Sequence, residues 1–173
     1  NIYMSITTLG ELILSSSKKF EKQPALGFVG EEPVKYSELS AKISSIIAFL
    51  ERQGLEQGDK VAILSANQPN WGIAYFALAT MGVVAVPVLP DFSEAEIENV
   101  FNHAEVKAIF VSEGLYRKVK DIKCQSLQFS ILIENFSIIP SDWANNKLLD
   151  LPSDLIEGEL PARNYEVKPD DLA

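Results

Sequence analysis

The segment that decides the fold is Val61-Ala62-Ile63-Leu64, an unbroken run of β-branched and aliphatic residues. A run without polar alternation is typical of a strand that is buried on both faces of a sheet. Helical patterns flank it. Before it, apolar residues recur at helical spacing at Leu39, Ile43, Ile46, Ile47 and Leu50. After it, Asn67-Gln68-Pro69 opens a second helix, because proline is tolerated in a first turn. We therefore predict a central strand between two helices.

Three further strands are predicted along the chain, at Val83–Val88, Lys107–Val111 and Phe129–Ile133. Helical segments separate them, and the one after Val88 begins with a capping box at Ser93-Glu94-Ala95-Glu96. The helix before Val83 is predicted to bury Trp71, Ala74, Tyr75, Leu78 and Met81, and the helix after Val88 is predicted to bury Ile97, Val100, Phe101 and Ala104. A further short helix is predicted at Leu115, Val119 and Ile122. Strands that alternate with helices predict a three-layer α/β/α fold around a mainly parallel sheet.

Local signals mark the ends of these elements. A capping box at Thr8–Glu11 predicts an N-terminal helix, and Ser37 is the candidate N-cap of the next. The apolar stretches Ala25–Val29 and Val34–Tyr36 predict a hairpin. Gly54 and Gly82 each suit the left-handed position that ends a helix.

The pattern weakens from about Asn135 onward. Between Asp150 and Asp171 there are seven acidic residues and two basic ones, and prolines recur through the segment. We predict one domain, with an α/β core over residues 1–134 and an irregular acidic excursion over 135–173.

The composition excludes several classes of function. The net charge of −9 argues against a nucleic-acid partner, which requires a basic surface. The longest apolar stretch, near Gly82–Leu89, is too short to span a bilayer. A single cysteine, Cys124, cannot form an internal disulfide, so we expect a reducing, cytoplasmic location.

Each candidate chemical motif in this sequence is better explained by a role in the structure than by a role in chemistry. The segment Gly54–Lys60 has the wrong glycine spacing and context for a phosphate loop, and no dinucleotide fingerprint follows a strand. Cys124 is expected to be an inert thiol, and His103 to complement the carbonyl end of a helix. Glu94 and Glu96 suit the first turn of a helix, while Trp71 and Tyr75 are interpreted as core. We predict no catalytic, cofactor-binding or metal-binding residue in this chain.

Five stretches, read together in order, carry a family resemblance. They are Val34-Lys35-Tyr36-Ser37-Glu38-Leu39, Gly54-Leu55-x-x-Gly58-Asp59-Lys60-Val61-Ala62-Ile63, Asn67-Gln68-Pro69-Asn70-Trp71, Ala79-Thr80-Met81-Gly82-Val83-Val84-Ala85-Val86-Pro87 and the closing Lys168-Pro169-Asp170-Asp171-Leu172-Ala173. They resemble the opening of the acyl-adenylate-forming (AMP-binding) superfamily. The third stretch is similar to the Asn-x-Pro-Glu-Trp of long-chain fatty-acid–CoA ligases, with Asn70 in place of Glu.

The resemblance implies that this chain is the N-terminal part of the AMP-binding domain of a longer ligase. The family joins a carboxylate to ATP, giving acyl-AMP and pyrophosphate, and CoA thiol then displaces AMP. The phosphate loop and lid that perform this chemistry have no counterpart among residues 1–173. We therefore expect ATP, Mg²⁺, CoA and fatty acid to be bound by the longer protein, and this chain alone to be inactive.

Two alternatives stay open. One is a different acceptor within the superfamily, as in an aryl-CoA ligase or a peptide-synthetase adenylation domain. The other is a non-catalytic α/β binding module. The interpretation as part of a longer ligase names the remainder of the polypeptide as partner and predicts uncovered surfaces that favour self-association.

Overall fold

A computed structural model describes residues 24–26 and 34–139 of the chain. The first described unit is a small antiparallel pair, β1 (Pro24–Leu26) with β2 (Val34–Lys35), which confirms the predicted hairpin. Helix α1 (Tyr36–Arg52) continues directly from β2. The predicted capping box at Thr8–Glu11 lies outside the described residues.

Five strands form the main sheet. They are β3 (Lys60–Leu64), β4 (Val84–Val88), β5 (Ala108–Val111), β6 (Phe129–Leu132) and β7 (Ile138–Ile139), in the spatial order β4-β3-β5-β6-β7. The first four are mutually parallel, and β7 runs antiparallel to β6. The connections are α2 (Pro69–Met81) between β3 and β4, α3 (Glu94–Ala104) between β4 and β5, and a 3₁₀ helix (Glu113–Lys118) after β5. The predicted α/β fold with a mainly parallel sheet is confirmed.

Two apolar clusters fill the space on either side of the sheet. Cluster 1 packs α1 and α2 against one face, and cluster 2 packs α3 and the 3₁₀ helix against the other. Strand β3 serves both, since Val61 and Ile63 enter cluster 1 while Ala62 and Leu64 enter cluster 2. The deciding segment is therefore buried on both faces, as predicted, and three layers result.

Helix α1 begins two residues earlier than predicted. Its N-cap is Lys35, which has an extended backbone and no side-chain capping bond, so the prediction of Ser37 as N-cap is wrong. Strand β2 leads directly into the helix, so Lys35 is both the last residue of β2 and the N-cap of α1. Its position is fixed by pairing with Pro24 of β1, and no side-chain capping bond is made. Gly54 and Gly82 do adopt positive φ, at 83° and 68°.

The apolar run Val83–Val88 predicts a second buried strand, and this prediction is wrong for most of its residues, because β4 is an edge strand among the described residues. Within β4 only Val88 is buried, whereas Val84, Ala85 and Val86 are half-buried and Pro87 is exposed. An apolar run does not distinguish a central strand from an edge strand covered by helices above and below. The amide of Val84 donates to Asp59 O at 2.8 Å, so positions 84, 86 and 88 face β3. Pro87 therefore faces outward, where its missing N–H leaves no ladder bond unmade.

Strand β7 was not predicted. It lies in the segment that the sequence assigned to the irregular excursion, and its two residues pair with Ser130 and Ile131 of β6. The rest of that segment, from residue 140, is outside the described residues.

Candidate functional site

The carboxyl ends of the parallel strands define the edge of the sheet where ligands bind in open α/β folds. From β3 the chain passes to β4 on one side, and the next strand, β5, lies on the other side of β3. This reversal places a topological switch between β3 and β5. The polar side chains that follow the strands at this edge are Ser65 and Gln68 after β3, Ser112 and Glu113 after β5, and Glu134 after β6.

Hydrogen bonds join these strand ends to one another. Asn70, in the first turn of α2, donates from Nδ2 to Ile133 O at 2.8 Å and to Glu134 O at 2.9 Å. The carboxylate of Glu134 accepts from the amide of Glu113 at 3.1 Å. The carbonyls at the end of β6 are thereby bound to α2, and the turn that follows is bound to the start of the 3₁₀ helix. The side chains of Asn70 and Glu134 at this edge are therefore hydrogen-bonded to backbone groups of the neighbouring strand ends.

The turn after β6 holds a residue in an unusual conformation. Phe136 has φ of 57°, which is uncommon for a residue other than glycine. Its side chain is buried and meets Phe110 edge to face, with ring centroids 6.0 Å apart. Ser137 supports the turn by donating from its amide and hydroxyl to Asn135 Oδ1, at 3.1 and 2.6 Å. The packing of the ring and the hydrogen bonds of the turn together hold Phe136 in this conformation.

A cavity of about 470 Å³ lies beside the first turn of α3 and is lined by Ser93, Glu94, Ala95, Arg117 and Lys118. Lys118 donates from Nζ to Pro90 O and Phe92 O, so its ammonium fixes the loop before α3. The capping box is formed as predicted, with Glu96 N donating to Ser93 Oγ at 3.3 Å and Ser93 N to Glu96 Oε2 at 2.7 Å. The backbone N–H of Ser93 is the main cause that lowers the pKa of Glu96. Within the first turn of α3, the amide of Glu96 is thus already bonded to the cap.

The segment Gly54–Lys60 forms a turn at the opposite, amino edge of the sheet. Gly54 and Gly58 both have positive φ, and Asp59 Oδ2 accepts from Glu56 N at 2.9 Å. Asp59 also pairs with Lys107 at 2.7 Å, and this contact raises the pKa of that ammonium. The glycines shape the chain and Asp59 closes the turn, which agrees with the structural interpretation of this segment.

The remaining candidate residues lie on three different parts of the chain, with Trp71 and Tyr75 on α2, His103 on α3 and Cys124 before β6. Cys124 is half-buried, and its Sγ lies 3.2 Å from Ser126 Oγ. His103 is exposed in the last turn of α3. Trp71 and Tyr75 stack with centroids 5.5 Å apart and pack against cluster 1, as the core interpretation predicts. In residues 24–26 and 34–139, no group of three His, Cys, Asp or Glu could hold a metal ion.

Sequence reasoning missed the residues that organise the carboxyl edge, namely Asn70, Glu134 and Lys118. Their partners are distant in the chain, 63 and 64 positions away for Asn70. One signal was present, because Asn70 stands where the resembling motif has Glu.

No helix within the described part of the chain is long and apolar enough to cross a membrane. That this chain contains no catalytic, cofactor-binding or metal-binding residue stays a prediction.

Comparisons with known proteins agree on one family. The family model described as AMP-binding enzyme matches residues 15–173. A long-chain-fatty-acid–CoA ligase from Bacillus subtilis is 29% identical over 126 residues, which cover 73% of this chain and 22% of that protein. The chain therefore spans about a fifth of the length of this relative.

Solved structures share the fold. A long-chain-fatty-acid–CoA ligase from Archaeoglobus fulgidus superimposes with a TM-score of 0.75 at 19% identity, over 98% of this chain and 34% of that one. An anthranilate–CoA ligase in complex with anthranoyl-AMP superimposes with a TM-score of 0.67 at 15% identity, over 72% of this chain and 24% of that one.

Proposed function

Because this chain belongs to the family of AMP-binding enzymes, we propose that it is the N-terminal part of a longer ATP-dependent fatty-acid–CoA ligase. The observation that carries the proposal is the 29% identity to the Bacillus subtilis long-chain-fatty-acid–CoA ligase across most of the chain. The stretch Asn67-Gln68-Pro69-Asn70-Trp71 supports the same choice of substrate class.

The proposed reaction has two steps. A fatty-acid carboxylate oxygen attacks the α-phosphorus of ATP, the bond to the β-phosphate oxygen breaks, and acyl-AMP and pyrophosphate form. The thiolate of CoA then attacks the acyl carbon and AMP leaves. The first step requires Mg²⁺ and cationic or N–H groups around the phosphates.

The described residues do not fit the phosphates of ATP or a magnesium ion. The two glycines at Gly54 and Gly58 flank a turn that Asp59 closes with its own carboxylate. The first turn of α3 is capped by Ser93, and Glu94 and Glu96 place negative charge there. No step of the reaction is therefore assigned to these residues. Their proposed role is scaffolding, and ATP, Mg²⁺, CoA and the fatty acid are proposed to bind the longer protein in the cytoplasm.

The test is ATP–pyrophosphate exchange with fatty acids of several chain lengths, measured for the 173-residue chain and for the longer protein. We expect fatty-acid-dependent exchange by the longer protein and none by the chain alone. Exchange by the chain alone would contradict its scaffolding role. A longer protein without exchange, or a reading frame that ends at Ala173, would favour a binding module.

A second candidate function is activation of an aromatic acid. An anthranilate–CoA ligase shares the fold, and at 15% identity the fold does not select between the two classes of acid. A panel of fatty, aryl and amino acids in the same assay distinguishes the two. Exchange with aryl acids and none with fatty acids would replace our first choice.

A further inference from the structure

We draw no further inference here: the strongest candidate, the cavity beside the first turn of α3 that is lined by Ser93, Glu94, Ala95, Arg117 and Lys118, rests on a helix N-terminus alone, because every buried side-chain nitrogen and oxygen in the described part of the chain already has a hydrogen-bond partner and none of them points to a ligand.

Discussion

At the start of α3, Ser93 and Glu96 bond to each other across three positions of the chain and form a capping box. At the end of α2, Gly82 adopts the left-handed conformation. Both interactions depend only on the local chain, because every group involved lies within one helical turn.

We expect the capping box to contribute to the acid sensitivity of the fold. Because the N–H and hydroxyl of Ser93 lower the pKa of Glu96, the folded state binds its proton less readily than the unfolded state. The stabilisation is therefore complete above the ordinary glutamate pKa of about 4.3 and is lost as pH falls through the lower, folded value. Glu96→Gln keeps a capping-box residue that does not titrate. Urea unfolding at a series of pH values should show the wild type losing stability on acidification that the variant retains.

The control for this experiment is Glu94→Gln, because Glu94 is exposed in the same turn and makes no capping contact. Its pH profile should follow that of the wild type. Parallel profiles for the wild type and Glu96→Gln would show that the capping box does not couple to pH.

Between elements, prediction worked for the helices and strands and failed for the contacts at the carboxyl edge. The four parallel strands were found from their apolar runs, but the exposure of β4 and the existence of β7 were not. Edge position depends on which strand lies beside which, and a two-residue strand exists only through its pairing with β6. Asn70 was missed for the same reason, since its partners belong to another element.

Asn70→Asp tests the junction between α2 and the end of β6. A carboxylate at this position suits the helix N-terminus, yet it cannot donate to the carbonyls of Ile133 and Glu134. We expect a loss of about 1–3 kcal/mol in the free energy of unfolding, because two acceptors lose their donor and face a like partial charge. Equilibrium denaturation in urea measures it.

The matched control is Asn67→Asp, which adds the same charge just before α2 at an exposed position. It should leave the free energy of unfolding within about 0.5 kcal/mol of the wild type. If both variants lose the same stability, charge and not the lost donor would be responsible.

At the scale of the whole molecule, the feature that most affects behaviour in solution is the open edge of β4. It is short and free of charge, and Leu89, just beyond it, is the one large hydrophobic residue in the described part of the chain classed as exposed. Pro87 faces outward on this edge, so Ala85 is the only residue within β4 whose N–H points away from β3. Proline on an edge strand opposes the addition of another strand.

We expect Pro87→Thr to increase self-association of the 173-residue chain without a large change in its stability. Threonine restores an outward N–H at a position where no internal bond depends on it, and it favours extended backbone. Sedimentation velocity over a range of concentrations should show dimers or larger species for the variant at concentrations where the wild type has fewer. Leu89→Thr introduces the same residue nearby but no new backbone N–H, and it should not increase association. An equal increase for both variants would show that the outward N–H is not the cause.

The two bonds of Asn70 also bear on the order in which the chain folds. They close a loop of more than sixty residues that contains α2, β4, α3 and β5. The entropy of closing such a loop must be overcome before the bonds can form, so we expect them to appear after the units inside the loop have associated. Contacts made that late hold back unfolding more than they accelerate folding. The contacts at the carboxyl edge would then slow unfolding, so they would set the lifetime of the folded state more than the rate at which it forms.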